Sequence, residues 1–282
     1  MVGPADACVR PVSPVKRRLD VFLVESGLVS TRSRAQGLIM AKQVEVNGRV
    51  ETKSGFAVED GDQVRVLETL PYVSRGGLKL QRALDVFQVN PQGWLVADIG
   101  ASTGGFTDCW LKSGAAHVYA VDVGYGQLDW ALRQDPRVTV LERTNARYLT
   151  AEVLGLEQAL DGASIDASFI GLKLLLAPLV PLLGPEGVVL ALVKPQFEAG
   201  PGKVGKGGVV RDPAVHAEVL ARVMAEAGAL GYGMRGLTWS PIRGPEGNIE
   251  FLMYLSIDGS VQAEIDVETV VQGAWQMGES NG

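Results

Sequence analysis

Hydrophobic and polar positions along this chain follow one rhythm near its start and another after about residue 90. From Lys16 onward, Leu19, Phe22 and Leu23 recur at helical spacing, and Gly27 supplies a C-terminal cap. Ser30 is a good N-cap for a second helix carrying Ala35, Leu38, Ile39 and Met40 on one stripe. Residues 44–50 then read as strand, Asn47-Gly48 turn and strand, and residues 63–67 as a further strand after the Asp60-Gly61 turn. A helix with Leu78, Leu80, Ala83, Leu84 and Phe87 on one face follows. Beyond it, apolar runs at 94–99, 117–122, 138–141, 165–170, 187–194 and 251–257 alternate with helical stretches, as in a mostly parallel sheet covered on both faces.

The expected organisation is therefore a loose tail over 1–15, a compact α+β module over 16–69, a linker over 70–80 and an α/β domain over 81–282. No internal repeat or extended low-complexity segment interrupts it.

Composition changes the picture mainly by exclusion. A chain of 282 residues with 46% hydrophobic and 21% charged residues has a globular balance. Its two cysteines, Cys8 and Cys109, build neither a disulfide framework nor a thiolate metal site, which points to a reducing cytoplasm. The only histidines, His117 and His216, lack partners at metal-ligand spacing, so no metal is expected. Pro4, Asp6, Arg10 and Pro11 break any secretory leader, and the longest apolar run, 174–183, is too short to span a bilayer. The net charge of −6 is unevenly shared. Residues 10–82 carry 13 Lys/Arg against 8 Asp/Glu, whereas residues 83–282 carry 13 against 23. A basic front on an acidic rear suits a polyanion-binding module joined to something else.

The clearest chemical signal is Asp98-Ile-Gly-Ala-Ser-Thr-Gly-Gly-Phe-Thr107, where a strand ends in an acid and Gly100, Gly104 and Gly105 lead into a helix. Such glycines let the backbone turn tightly and approach a ligand. Neither GxxxxGK[ST] nor GxGxxG is present, which disfavours a pyrophosphate. The second strand ends in Asp122, whose carboxylate suits ribose hydroxyls. A glycine loop without a phosphate motif, followed by an acid on strand two, is the layout of S-adenosylmethionine-dependent methyltransferases. On it, Asp98, Gly100, Ser102, Gly104, Gly105, Phe106 and Asp122 are candidate cofactor contacts, and Asn145 lies where such enzymes meet the adenine.

Four charged residues sit on or beside elements expected to be buried: Lys79, Asp166 within the fourth run, Lys194 ending the fifth, and Glu250 opening the last. Isolated buried charges are costly, so a shared cluster is the economical arrangement. These residues lie in motifs that carry a resemblance. Ser74-Arg-Gly-Gly-Leu-Lys-Leu80, the loop 98–107, Asp166-Ala-Ser-Phe-Ile170, Lys194-Pro-Gln-Phe-Glu198 and Gly247-Asn-Ile-Glu-Phe-Leu252 resemble the TlyA family, bacterial ribosomal-RNA 2′-O-methyltransferases of the FtsJ-like class often labelled hemolysin A. Gly171 departs from the serine common there.

The resemblance implies a Rossmann-like S-adenosylmethionine-dependent methyltransferase sheet preceded by a small RNA-binding domain of ribosomal-protein type. It also implies a catalytic set of Lys79, Asp166, Lys194 and Glu250. A ribose 2′-hydroxyl needs its proton removed as it attacks a methyl group, and a lysine serves as that base only when neutral, a form favoured by burial and a neighbouring cation. Lys194 is then the base and Lys79 the neighbour, with the two acids orienting them.

The cations expected to meet RNA are Arg18, Arg32, Arg34, Lys42 and Arg49 on the front module, Arg75 at the junction, and Lys203 and Lys206 in the Gly-rich stretch 200–211. The expected partner is ribosomal RNA or a ribosomal subunit, with no membrane and a monomeric chain. A non-catalytic RNA-binding or ribosome-assembly protein is the alternative, and a cytolysin conflicts with the missing amphipathic or spanning segment.

Overall fold

The computed structural model describes residues 16–29, 31–40, 42–67, 71–200, 202–244, 246–259 and 265–279. The expected tail 1–15, with Cys8, and the N-cap Ser30 lie outside the described residues. Its contacts divide the chain into two units, Met1–Leu70 and Pro71–Gly282.

In the first unit, β1 (Arg17–Arg18) leads into α1 (Leu19–Glu25) and then α2 (Arg32–Met40). Strands β2 (Val44–Val46), β3 (Arg49–Val50), β4 (Ala57–Val58) and β5 (Val64–Val66) follow. The Asn47-Gly48 turn joins β2 to β3, both of its residues have positive φ, and β2 also pairs with β5. The two-residue strands β1 and β4, which pair antiparallel, are too short to leave a periodic signal. Leu19, Leu23, Ala35, Ile39, Val44 and Val58 form the core of this unit, so the helical stripes read from the sequence face inward, except for Met40, which ends α2 exposed.

The second unit opens with α3 (Gly76–Phe87). Residues 76–80, expected in the linker, are therefore helical. The apolar stripe that begins at Leu78 and Leu80 belongs to this helix, and its first turn is tightly packed, since a Cβ on Gly77 would collide with the Tyr72 ring. Then come β6 (Leu95–Ile99), α4 (Gly105–Lys112), β7 (His117–Val121), α5 (Trp130–Gln134), β8 (Val138–Leu141), α6 (Ala151–Leu154) and β9 (Leu160–Ile165). The unit continues with α7 (Lys173–Leu179), β10 (Leu183–Val193), α8 (Pro195–Glu198), α9 (Pro213–Ala229), β11 (Gly233–Trp239), β12 (Phe251–Ser256) and α10 (Val267–Glu279).

Seven strands form one sheet in the order β11-β12-β10-β9-β6-β7-β8. The five from β10 to β8 run parallel, whereas β12 is antiparallel to β10 and β11 to β12. Alternate strand residues feed two cores. Ala97, Val189, Ala191 and Met253 pack on one face with Leu176 of α7, Leu220 of α9 and Ala274 of α10. Val96, Leu190, Leu192 and Leu252 pack on the other with Leu80 of α3 and Trp110 of α4. The chain leaves β6 outward to β7 and β8 and returns to β9 on the other side, so the switch of direction opens a crevice at the carboxyl ends of β6 and β9.

The fourth strand lies earlier in the chain than expected: it is Leu160–Ile165, and of the run 165–170 only Ile165 belongs to it. Strand β9 ends at Ile165, paired with Ile99, and after Asp166 N–H donates to the Ile99 carbonyl the chain turns away. Asp166 is thus just past the strand, not within it. Ser168 is exposed, and Phe169 adopts a left-handed φ of 61°, which a strand could not accommodate.

Candidate active site

The glycine loop turns at the end of β6 because Gly100 takes a φ of 84°. A Cβ there would lie 2.5 Å from the Asp166 carbonyl oxygen, so only glycine lets the loop close against the chain leaving β9. Asp122, just beyond β7, holds the loop from the other side. Its Oδ2 accepts from Ser102 N–H at 2.8 Å and its Oδ1 from Gly124 N–H at 2.6 Å. Each oxygen keeps a lone pair for a ligand hydroxyl.

Asp98 occupies a different place from the one expected. It is fully buried, accepting from Thr107 Oγ1 at 2.7 Å and Ser164 Oγ at 2.9 Å, and Trp110 Nε1 donates in turn to Ser164 at 2.9 Å. Burial pushes its carboxyl up to about 6, against the pull of the Thr107 and Ser164 hydrogen bonds. It ties β6 to α4 and β9. Phe106 is likewise buried in the α3–α4 core, where it is packed and not presented to a ligand. Asn145 caps a short 3₁₀ turn after β8 by accepting from Arg147 N–H at 3.1 Å, and its side-chain amide is exposed.

The four expected charges do come together. The antiparallel register of β10 and β12 sets Val193 opposite Phe251, which brings Lys194 and Glu250 to the same edge as the ends of β6 and β9. Helix α3 packs its apolar face on that side of the sheet and brings Lys79. Lys79 Nζ lies 2.6 Å from Glu250 Oε2 and 4.0 Å from Asp166 Oδ2, and Lys194 Nζ lies 2.6 Å from Asp166 Oδ1. The result is a continuous chain, Glu250–Lys79–Asp166–Lys194, in which two cations are balanced by two carboxylates. Glu250 is almost wholly enclosed, and both lysine side chains are about 10% exposed. Each lysine has its own acid, so the two are linked through Asp166.

Two members of this arrangement escaped sequence reasoning. Ser168 Oγ accepts from Lys194 Nζ at 3.0 Å, and Gln196 Nε2 approaches Glu250 Oε1 at 3.5 Å. Both lie inside the motifs Asp166–Ile170 and Lys194–Glu198, and that proximity was the only signal available.

The expected RNA-binding cations divide into two groups. Arg18 donates through Nε and Nη2 to the two oxygens of Asp20, at 3.0 and 3.2 Å, and Arg32 Nε donates to Asp20 Oδ2 at 2.9 Å. Gln36 adds a further bond at 3.0 Å. The adjacent Arg18 guanidinium, with help from Gln36 and Arg32, holds the buried Asp20 carboxyl well below the usual carboxylate range. Lys203 pairs with Glu218. Arg34, Lys42, Arg49, Arg75 and Lys206 are exposed and, among the described residues, have no ion-pair partner.

Residues 72–257 match the FtsJ-like methyltransferase family and residues 17–64 the S4 domain. The first match spans the glycine loop, Asp122 and all four clustered charges. The chain belongs to the FtsJ-like methyltransferase family. Within it, the chain is 52% identical to YqxC of Bacillus subtilis over 250 residues, 88% of each chain. It is 46% identical to the 16S/23S rRNA (cytidine-2′-O)-methyltransferase TlyA of Mycobacterium tuberculosis over 242 residues, 85% of this chain and 90% of TlyA. A solved structure from Streptococcus thermophilus that carries the name hemolysin superposes with a TM-score of 0.75 at 45% identity, covering 94% of this chain and 98% of that one. Among the described residues no helix is long and apolar enough to cross a membrane, and no cluster of His, Cys, Asp and Glu could hold a metal ion.

Proposed function

We propose that this chain transfers a methyl group from S-adenosylmethionine to a ribose 2′-hydroxyl of ribosomal RNA in the cytoplasm. The observation that carries the reading is the unbroken Glu250–Lys79–Asp166–Lys194 chain beside a glycine loop closed on Asp166. The residues fit the cofactor. Gly100 and Gly104 let the loop close against Asp166 and against Leu128 and Leu132 with its backbone at the crevice, and Asp122 offers acceptors for ribose hydroxyls. When bound, S-adenosylmethionine supplies an electrophilic methyl group on a sulfonium.

Lys194, in its neutral form, takes the hydroxyl proton. The ribose oxygen so freed would attack the methyl group of S-adenosylmethionine held by the glycine loop and Asp122, with the neutral thioether as leaving group. Asp166 steers Lys194 and compensates the ammonium that results, while Lys79, itself held by Glu250, keeps Asp166 in place. Orienting the hydroxyl beside Lys194 would supply much of the acceleration.

The front unit grips RNA through Arg34, Lys42 and Arg49, with Arg18 and Arg32 held on Asp20, and Arg75 and Lys206 add phosphate contacts from the second unit. Labelled methyl transfer from S-adenosylmethionine to ribosomal RNA, with nuclease mapping of the product, tests this. A resistant 2′-O-methyl linkage is expected. A methylated base, or no label on RNA from cells lacking the protein, would contradict it.

A further inference from the structure

Lys194 has a second acceptor that the four-charge set does not include. Its Nζ lies 2.6 Å from Asp166 Oδ1 and 3.0 Å from Ser168 Oγ, both on the segment that leaves β9. That segment is built to hold the serine there. Phe169 takes a left-handed φ of 61° and leaves its ring 88% exposed, a conformation that costs a non-glycine residue about 1–2 kcal/mol unless its surroundings enforce it. The surroundings do so from the Lys194 side. The Phe169 ring rests 4.6 Å from that of Phe197, and Glu198 Oε1 accepts from Leu172 N–H at 2.7 Å. Segment 166–172 is thus fastened to segment 194–198 at both ends and in the middle.

A neutral amine has two N–H groups and one lone pair. With one acceptor it can rotate, aim its second N–H at the substrate and turn the lone pair away. With two acceptors on adjacent vertices, both N–H groups are engaged and the lone pair is left at the remaining vertex. We infer that Ser168 is a positioning residue for methyl transfer: with Asp166 it occupies both N–H groups of neutral Lys194, so that the lone pair faces the ribose hydroxyl. This rests on Lys194 being the base, as proposed above.

The test is a kinetic cycle on the full chain with ribosomal RNA and S-adenosylmethionine. Ser168 is exposed and its hydroxyl supports no core packing, so Ser168→Ala should fold normally. It should lower kcat up to about tenfold, the scale of one neutral hydrogen bond, and leave KM for both substrates unchanged. Ser168→Thr, which keeps the hydroxyl, should recover most of the loss. In a Lys194→Met background, Ser168→Ala should cost nothing further, because the serine acts through the amine. An unchanged or raised kcat in Ser168→Ala, or a loss that adds in full to that of Lys194→Met, would overturn the inference. If Lys194→Met is inactive while Ser168→Ala matches wild type, only the role of Ser168 fails. If Lys194→Met retains its turnover, the base assignment fails with it.

Discussion

Asp122 and Asp98 show how one residue type, each ending a strand, comes to do different work. Asp122 stays partly accessible at the crevice with backbone donors on both oxygens, whereas Asp98 is sealed between Thr107 and Ser164. Asp122→Ala should weaken S-adenosylmethionine binding by on the order of 1–3 kcal/mol, the cost of leaving buried polar partners unsatisfied. Calorimetry giving equal affinities for mutant and wild type would remove Asp122 from the site. Gly100→Ala should be worse for a different reason: the left-handed backbone and the 2.5 Å approach to the Asp166 carbonyl cannot both persist. A loss of about 2 kcal/mol or more in chemical denaturation is expected, together with weaker cofactor binding. The motif revealed both acids and the glycines. It could not reveal which way Asp98 points, because that depends on Ser164, 66 residues away on β9.

At the scale of elements, helices and strands with a strong apolar period were legible, and elements stabilised by particular contacts were not. Strand β11 lacks a clean alternation because Gly233, Arg235 and Gly236 interrupt it, and Gly236 is there to admit the Phe87 ring of α3. The same sheet depends on α10 docking onto α9, where Trp275 Nε1 donates to His216 Nδ1 at 3.2 Å. His216 is fully buried, and its Nε2 has no partner among the described residues. Burial pushes this imidazole down to about 4 from an ordinary value of 6.5, with Arg243 adding to the shift and Asp212 opposing it. The unfolded chain therefore binds a proton that the folded chain refuses between those values. Stability from this group is complete above about pH 6.5 and is lost as the pH falls toward 4, by about 3 kcal/mol in all. Urea titrations across that window should show a steeper decline for wild type than for His216→Phe. Parallel declines would mean that His216 is not a source of acid sensitivity.

For the molecule as a whole, the uneven charge read from the sequence takes on local meaning. The front unit's arginines are not equivalent: Arg32 is committed to the buried Asp20, and Arg34 has no ion-pair partner among the described residues. Arg34→Gln should therefore lower the salt slope of RNA binding by about one unit without loss of stability. Arg32→Gln should lower stability as well, because it removes a partner from an enclosed carboxylate. Equal slopes for wild type and Arg34→Gln would show that RNA is held elsewhere. In the proposed reaction the two lysines and two acids perform 2′-O-methyl transfer with Lys194 as base. Single-turnover methylation of ribosomal RNA by Lys194→Met, with cofactor affinity measured alongside, tests it most directly. Unchanged S-adenosylmethionine affinity is expected, with a rate lower by roughly a hundredfold or more, the range for a lost general base. A near-normal rate would leave the four residues as a structural ion cluster.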